Sequence, residues 1–465
     1  MSFSNSQAGG GIYAHGWNHS IEVSNNRVYS NGGTITGGIR FGQIEVPTSA
    51  TDANGNPVPL NFINSAKVHN NSVTNNVSFG DEFNVDTNAA GGGVAFCTGS
   101  DFYDFNFNWV CGNLSTGNGG GVDHRGLSFN GRIRNNTIIF NQSFNQTLDT
   151  HGGGIVVEGE PNPGPCGGPP FDVGCSTGLS DGAGNVSIDS NLIIGNIAEG
   201  GSGGGIRLEN VNGADVARNQ NNSTGINPAN GAPWAPWWQI SITNNIIANN
   251  EASWEGGGIS LFNAVNTTIT GNAVVSNDAT ATAGVLFDTV GANQGATGTP
   301  PPVPPSTGGG TCGTAQCVAN NPIVTSTFQP AGHATELNAP TLNLAFGPAV
   351  TCPFGLPACQ NFSNPQIKND IFWQNRSFHI TVGSNPTPGL QNVITLMPQL
   401  SQVTTGACPT GANYWDIGIN GDTGVAGGNP GGYRLNPTGS VVGTGGYAGN
   451  GTSPSTGSET VYCNG

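Results

Sequence analysis

The chain is 465 residues long and contains 76 Gly and 30 Pro, with only 8 % charged residues and a formal net charge of −16. This composition excludes a helical bundle or coiled coil, and Gly in clusters rather than at every third position excludes collagen. The acidic balance argues against nucleic-acid binding, which needs a basic stripe, and no apolar run reaches the ~18 residues of a membrane helix.

A repeat begins near the N-terminus and reads apolar-x-x-Asn-x-apolar-x-x-Asn. Its copies are Val23-Asn26-Val28-Asn31, Val68-Asn71-Val73-Asn76, Phe105-Asn108-Val110-Asn113 and Ile133-Asn136-Ile138-Asn141. They continue as Ile188-Asn191-Ile193-Asn196, Ile242-Asn245-Ile247-Asn250 and Ile269-Asn272-Val274-Asn277, and a late copy, Ile367-Asp370-Phe372-Asn375, carries Asp in place of Asn. A second motif, three Gly followed by Ile or Val, starts at Gly9, Gly91, Gly119, Gly152, Gly203 and Gly256. Asn113 and Asn141 lie 28 residues apart and Asn250 and Asn277 lie 27 apart. The steps from Asn141 to Asn196 and on to Asn250 are 55 and 54, which fits two coils or one coil with an insertion. The run Pro161-Asn162-Pro163-Gly164-Pro165 favours an insertion in the first of them.

A period of this length with β-branched alternation predicts an all-β fold, a right-handed parallel β-helix with three short strands per coil. In the coil from Gly256 to Asn277 the strands are Ile259–Phe262, Thr267–Ile269 and Ala273–Val275. Alternation points Ile259 and Leu261 inward, and likewise the pairs Val94/Phe96, Val122/His124, Ile155/Val157, Ile206/Leu208 and Val285/Phe287. The recurring Asn predict an amide ladder, with Asn26, Asn71, Asn136, Asn191, Asn245 and Asn272 at one corner and Asn31, Asn76, Asn141, Asn196, Asn250 and Asn277 at the other. The expected organisation is a β-helix over 1–295, a Pro/Gly-rich disulfide-containing insertion over 296–360, final coils over 361–400 and an irregular cap or tail over 401–465. A coil already under way at Gly9 suggests a piece of a longer protein.

These motifs resemble the repeats of chlamydial polymorphic outer-membrane proteins and of secreted bacterial right-handed parallel β-helix repeat proteins. Gly stands where that family has Ala in Gly-Gly-Ala, and Val28-x-x-Asn31 or Ile247-x-x-Asn250 stands for Phe-x-x-Asn. The likeness covers about residues 5–290 and 361–400. It implies a surface-exposed, often adhesive protein.

The ten cysteines, in even number and partly in close pairs, suit an oxidising compartment. Local pairs are expected for Cys166 with Cys175, Cys312 with Cys317 and Cys352 with Cys359. Cys408 with Cys463 is left by elimination, and Cys97 and Cys111 complete the set. Of the possible reactive groups, Asp123, Arg125 and Glu158 fall on the outward ladder beside the Gly triplets, together with Arg207 and Glu209. Carboxylates beside an Arg suit hydrolase or lyase chemistry, while the plainer expectation is surface ion pairs. His124 points inward and fits a buried neutral imidazole bonded to backbone. Trp234, Trp237 and Trp238 suit either a sugar-stacking platform or packing against the column. Asp52, Asn54 and Asn56 have the oxygen donors of a short calcium loop without its closing Glu, and His15 and His19 form a weak metal pair. No cofactor motif is present. The expected function is an extracellular or cell-surface structural or adhesive module, with glycans, surface proteins or further coils as partners. The alternatives are a polysaccharide lyase or glycoside hydrolase, or a non-catalytic carbohydrate-binding module, on the same fold.

Overall fold

The computed structural model describes residues 5–6, 9–16, 18, 20–42, 66–80, 89–145, 149–159, 182–213, 237–282, 323–326, 328–346, 352–356, 358–383, 393–397, 414–419, 433 and 435–443. Among the described residues, strands one coil apart pair in parallel and in register, building three sheets of nine strands and one of eight. This is a parallel β-helix. One coil shows the unit: a first strand Val122–Arg125, a second Gly131–Arg134, a third Thr137–Ile139, and a two-residue fourth strand Gln142–Ser143. The fourth strand was not legible in the sequence, which suggested three. It is too short to show alternation, and its inward position carries small residues such as Ser78, Ser115, Ser143 and Ala198, all fully buried.

The inward rows form a single apolar core. Val94, Phe96, Val122, Ile155, Val157, Ile206, Leu208, Ile259 and Leu261 are all fully buried, as alternation required. Each such side chain stabilises the column by about 1.5–3 kcal/mol relative to an exposed one. Val285 and Phe287 lie outside the described residues.

At each corner the ladder is continuous. Asn136 donates its main-chain N–H and its Nδ2 to Asn191 Oδ1, at 3.0 Å each, while its Nδ2 also reaches the Phe105 carbonyl one coil back at 2.9 Å. The same pattern links Asn26, Asn71, Asn108, Asn136, Asn191, Asn245 and Asn272, and ends on Asp370 Oδ1. At the other corner Asn31, Asn76, Asn113, Asn141, Asn196, Asn250, Asn277 and Asn375 are linked in turn and end on Asp416 Oδ1. Asp suits the last place because it only accepts. The residue before each ladder position takes a positive φ, as at Asn135 (54°), Asn244 (56°) and Ser276 (54°). This turns the chain and explains the recurring Asn, Ser and Gly there.

The direct bonds Asn141–Asn196 and Asn196–Asn250 show that both long steps are single coils with insertions. Gly119 opens its triplet at φ +69°, and a Cβ on Gly121 would stand 2.6 Å from the Gly154 carbonyl oxygen. The triplets are therefore required by backbone stacked on backbone.

The C-terminal half departs from the expected boundaries. His333–Thr335, inside the expected insertion, is a first strand of the column, lying between Ile259–Phe262 and Ile417–Ile419. Ile417–Ile419 and Val441–Val442, inside the expected tail, add the next coil. A short antiparallel sheet of Ile323–Thr325, His379–Gly383 and Val393–Met397 stands apart from the column's four sheets. A helix, Pro340–Phe346, is pinned near the Cys352–Cys359 disulfide, the expected pair, with Leu342, Phe346 and Cys359 sharing a small apolar cluster with Trp237 and Val265. Among the described residues Cys97 and Cys111 are free thiols, and Cys166, Cys175, Cys312, Cys317, Cys408 and Cys463, with the pairs expected of them, lie outside the described residues.

Candidate functional site

The outward face of the first sheet is where the column departs from plain repetition. Register stacks Arg40, Ala95, Asp123, Val156, Arg207, Ser260 and Ala334 in one row. Arg125, Glu158, Glu209 and Phe262 form a second row two residues on. Outward positions of a sheet normally meet water, and surface ion pairs were expected here. That expectation is corrected: Asp123 is fully buried, Arg207 is 2 % exposed and Glu158 6 % exposed. The polar groups that face these rows account for part of the difference.

Arg125 and Glu158 are register neighbours, with Nε 3.7 Å from Oε1, as the sequence suggested. Asn118 Nδ2 donates to Glu158 Oε2 at 2.6 Å. Asp123 adjoins this pair, and neither of its carboxylate oxygens has a hydrogen-bond partner. Burial, reinforced by the Glu158 charge, pushes the Asp123 carboxyl well above its ordinary range. Burial also raises Glu158, against the pull of Arg125.

One coil on, Arg207 is the hub. Its Nη1 bonds Ser260 Oγ at 2.7 Å and pairs with Glu336, and its Nε lies 3.3 Å from Glu209 Oε2. His151 accepts the Ser202 main-chain N–H at Nδ1, 3.0 Å away, which leaves the proton on Nε2, 3.8 Å from Glu209 Oε2. Burial works to raise Glu209, but His151 and Arg207 outweigh it and hold this carboxyl below its ordinary value. The opposite holds for Glu255, fully buried with Oε2 unpartnered. Burial and then the Glu336 charge drive it well above its ordinary value. Asp149 is raised to about 7 by burial, with Glu209 and Glu336 adding to the effect.

Asn118, Asp149, His151, Glu255 and Glu336 were missed from sequence. A signal existed for three of them, since Asn118, His151 and Glu255 each immediately precede a Gly triplet. That position stacks from coil to coil, with the His151 N–H donating to Asn118 Oδ1 at 2.8 Å. Glu336 directly follows the strand His333–Thr335, in the column of Glu158 and Glu209.

The other candidates resolve differently. His124 is a buried core residue, its Nε2 against the Ala183 carbonyl at 2.8 Å and its Nδ1 against the Tyr103 hydroxyl at 2.9 Å. Burial lowers its pKa to about 4, so it is neutral at pH 7. Trp237 and Trp238 are not an open platform. They are 5 % and 2 % exposed, Trp237 packing on Phe346 and Trp238 edge-on to Phe129. Bulky indoles over the column's side bury more area by packing than by waiting for a ligand. Trp234, Asp52, Asn54, Asn56 and His19 lie outside the described residues. His15 bonds the Tyr13 hydroxyl. Among the described residues no His, Cys, Asp or Glu group has a metal-holding arrangement, and no helix is long and apolar enough to cross a membrane.

No family model, curated protein or solved structure matches this chain.

Proposed function

We propose that this chain is an extracellular or cell-surface structural module with an adhesive role, of the kind its resemblance to polymorphic outer-membrane protein repeats implies. The observation that carries this reading is the pair of unbroken ladders. They hold stacked coils by buried hydrogen bonds that require no ligand, metal or partner. The Cys352–Cys359 bridge adds to it, because such bonds persist outside the reducing cytosol. Protease treatment of intact cells of the native host tests the reading. The chain should be cleaved or released from outside, with Cys352 and Cys359 refractory to alkylation before reduction. A chain protected until lysis, with both thiols reactive, sinks it.

A second reading is favoured by Asp123 and Glu255. Two buried acids with unpartnered oxygens are a cost that a purely structural module has no reason to carry. They support a glycan-processing site on the outward face of the first sheet.

A further inference from the structure

We infer that Glu158 and Glu209 are the acid and nucleophile of a retaining glycoside hydrolase site. This rests on the glycan-processing reading. Three observations carry it. First, the two residues are register neighbours on adjacent coils. Parallel strands set the backbones of such neighbours about 4.8 Å apart, which lets their carboxyls take the spacing of about 5–5.5 Å at which one carboxylate attacks the sugar directly instead of through a water. Second, their surroundings differ in the sense the chemistry needs. Both face an Arg, but burial raises Glu158 despite Arg125 and the Asn118 hydrogen bond, whereas His151 and Arg207 together hold Glu209 down. Third, both side chains keep some exposure, 8 % and 19 %, while Asp123, Arg207 and Glu255 are buried.

In the first step a Glu209 oxygen attacks the anomeric carbon, the glycosidic C–O bond breaks, and the leaving oxygen takes the Glu158 proton. In the second, Glu158 removes a proton from water, whose oxygen attacks the same carbon and releases the Glu209 carboxylate. Two inversions retain the anomeric configuration. Arg207 and His151 are positioning residues that keep Glu209 ionised.

The test uses the full chain with 4-nitrophenyl glycosides of neutral sugars, N-acetylhexosamines and uronic acids, following the first-formed anomer by NMR. Hydrolysis with retention is expected. Turnover should fall as pH rises through the Glu158 titration. E209Q should abolish turnover. E158Q should lose about 10²–10⁴-fold on poor leaving groups and much less on 2,4-dinitrophenyl glycosides. A 2-deoxy-2-fluoro glycoside should label Glu209. Both variants are near-isosteric, and unchanged melting temperatures would separate chemistry from folding. Hydrolysis with inversion, or with E209Q fully active, overturns the assignment of this pair while leaving a glycan-processing site elsewhere on the face. No hydrolysis of any glycoside overturns both the pair and the reading it rests on.

Discussion

The ladder corners and the outward face of the first sheet both bury polar side chains, and they do so on opposite terms. At the corners each Asn meets partners on both sides, so that Asn245 gives to Asn272 Oδ1 and the Ile188 carbonyl and receives from Asn191. On the face, charges are gathered into a low-dielectric region where Asp123 and Glu255 are left with unpartnered oxygens. An amide that donates and accepts can be stacked indefinitely. A carboxylate only accepts, so a stack of them must be broken by Arg or by protons. The corners therefore supply stability, and the face holds groups whose protonation is tuned.

The largest expected effect is at the triplets. Gly121→Val would drive a side chain against the Gly154 carbonyl and Asn141 Nδ2, 2.6 and 3.0 Å from its Cβ. A loss of about 3 kcal/mol, read from urea unfolding, is expected; a loss under about 1 kcal/mol would mean that coils can spread locally. Asn245→Ala should cost about 2 kcal/mol by orphaning buried groups, while the half-buried Thr268→Ala should stay within about 0.5 kcal/mol. Equal melting temperatures for these two variants would remove the ladder as a source of stability.

The face should respond to pH with the opposite sign to an ordinary ion-paired acid. Asp149 titrates near 7 when folded and near its usual 3.8 when unfolded. Between those values the folded state holds the extra proton, so stability falls as pH rises from about 4 to 7. Asp149→Asn should therefore raise stability at pH 8 and leave it unchanged at pH 3. A variant equally shifted at both pH values would show that Asp149 acts by packing. The smallest effect belongs to the second sheet's solvent side, where Arg134 Nε and Nη2 bond both Asp104 oxygens at 2.9 and 2.7 Å. With Arg134 41 % exposed, Arg134→Ala should cost about 0.5 kcal/mol, vanishing in 1 M salt. A larger, salt-independent loss would place that pair with the buried face.

Much of the column was legible because its rules are local and repeat. An Asn every coil, a Gly triplet before an apolar strand and alternation within it are each properties of neighbouring residues. The site was legible only in part. Asp123, Arg125 and Glu158 were visible as an outward row, but the same alternation describes a solvated surface. Their burial depends on residues of other coils, with Asn118 in the link before one triplet, His151 before the next and Glu336 beyond a long excursion. Trp237 and Trp238 were left between two readings for a related reason, since a cluster of indoles reads alike whether it faces water or Phe129 and Phe346.

By itself, the sequence determined the stacking period, the inward rows and the amide corners, because each follows from short-range backbone geometry repeated coil after coil. Tertiary structure alone decided which outward side chains lost their water and which carboxyls came to face Arg207. Desolvation and charge pairing depend on what lies across space, and register between coils brings together residues that the chain keeps far apart.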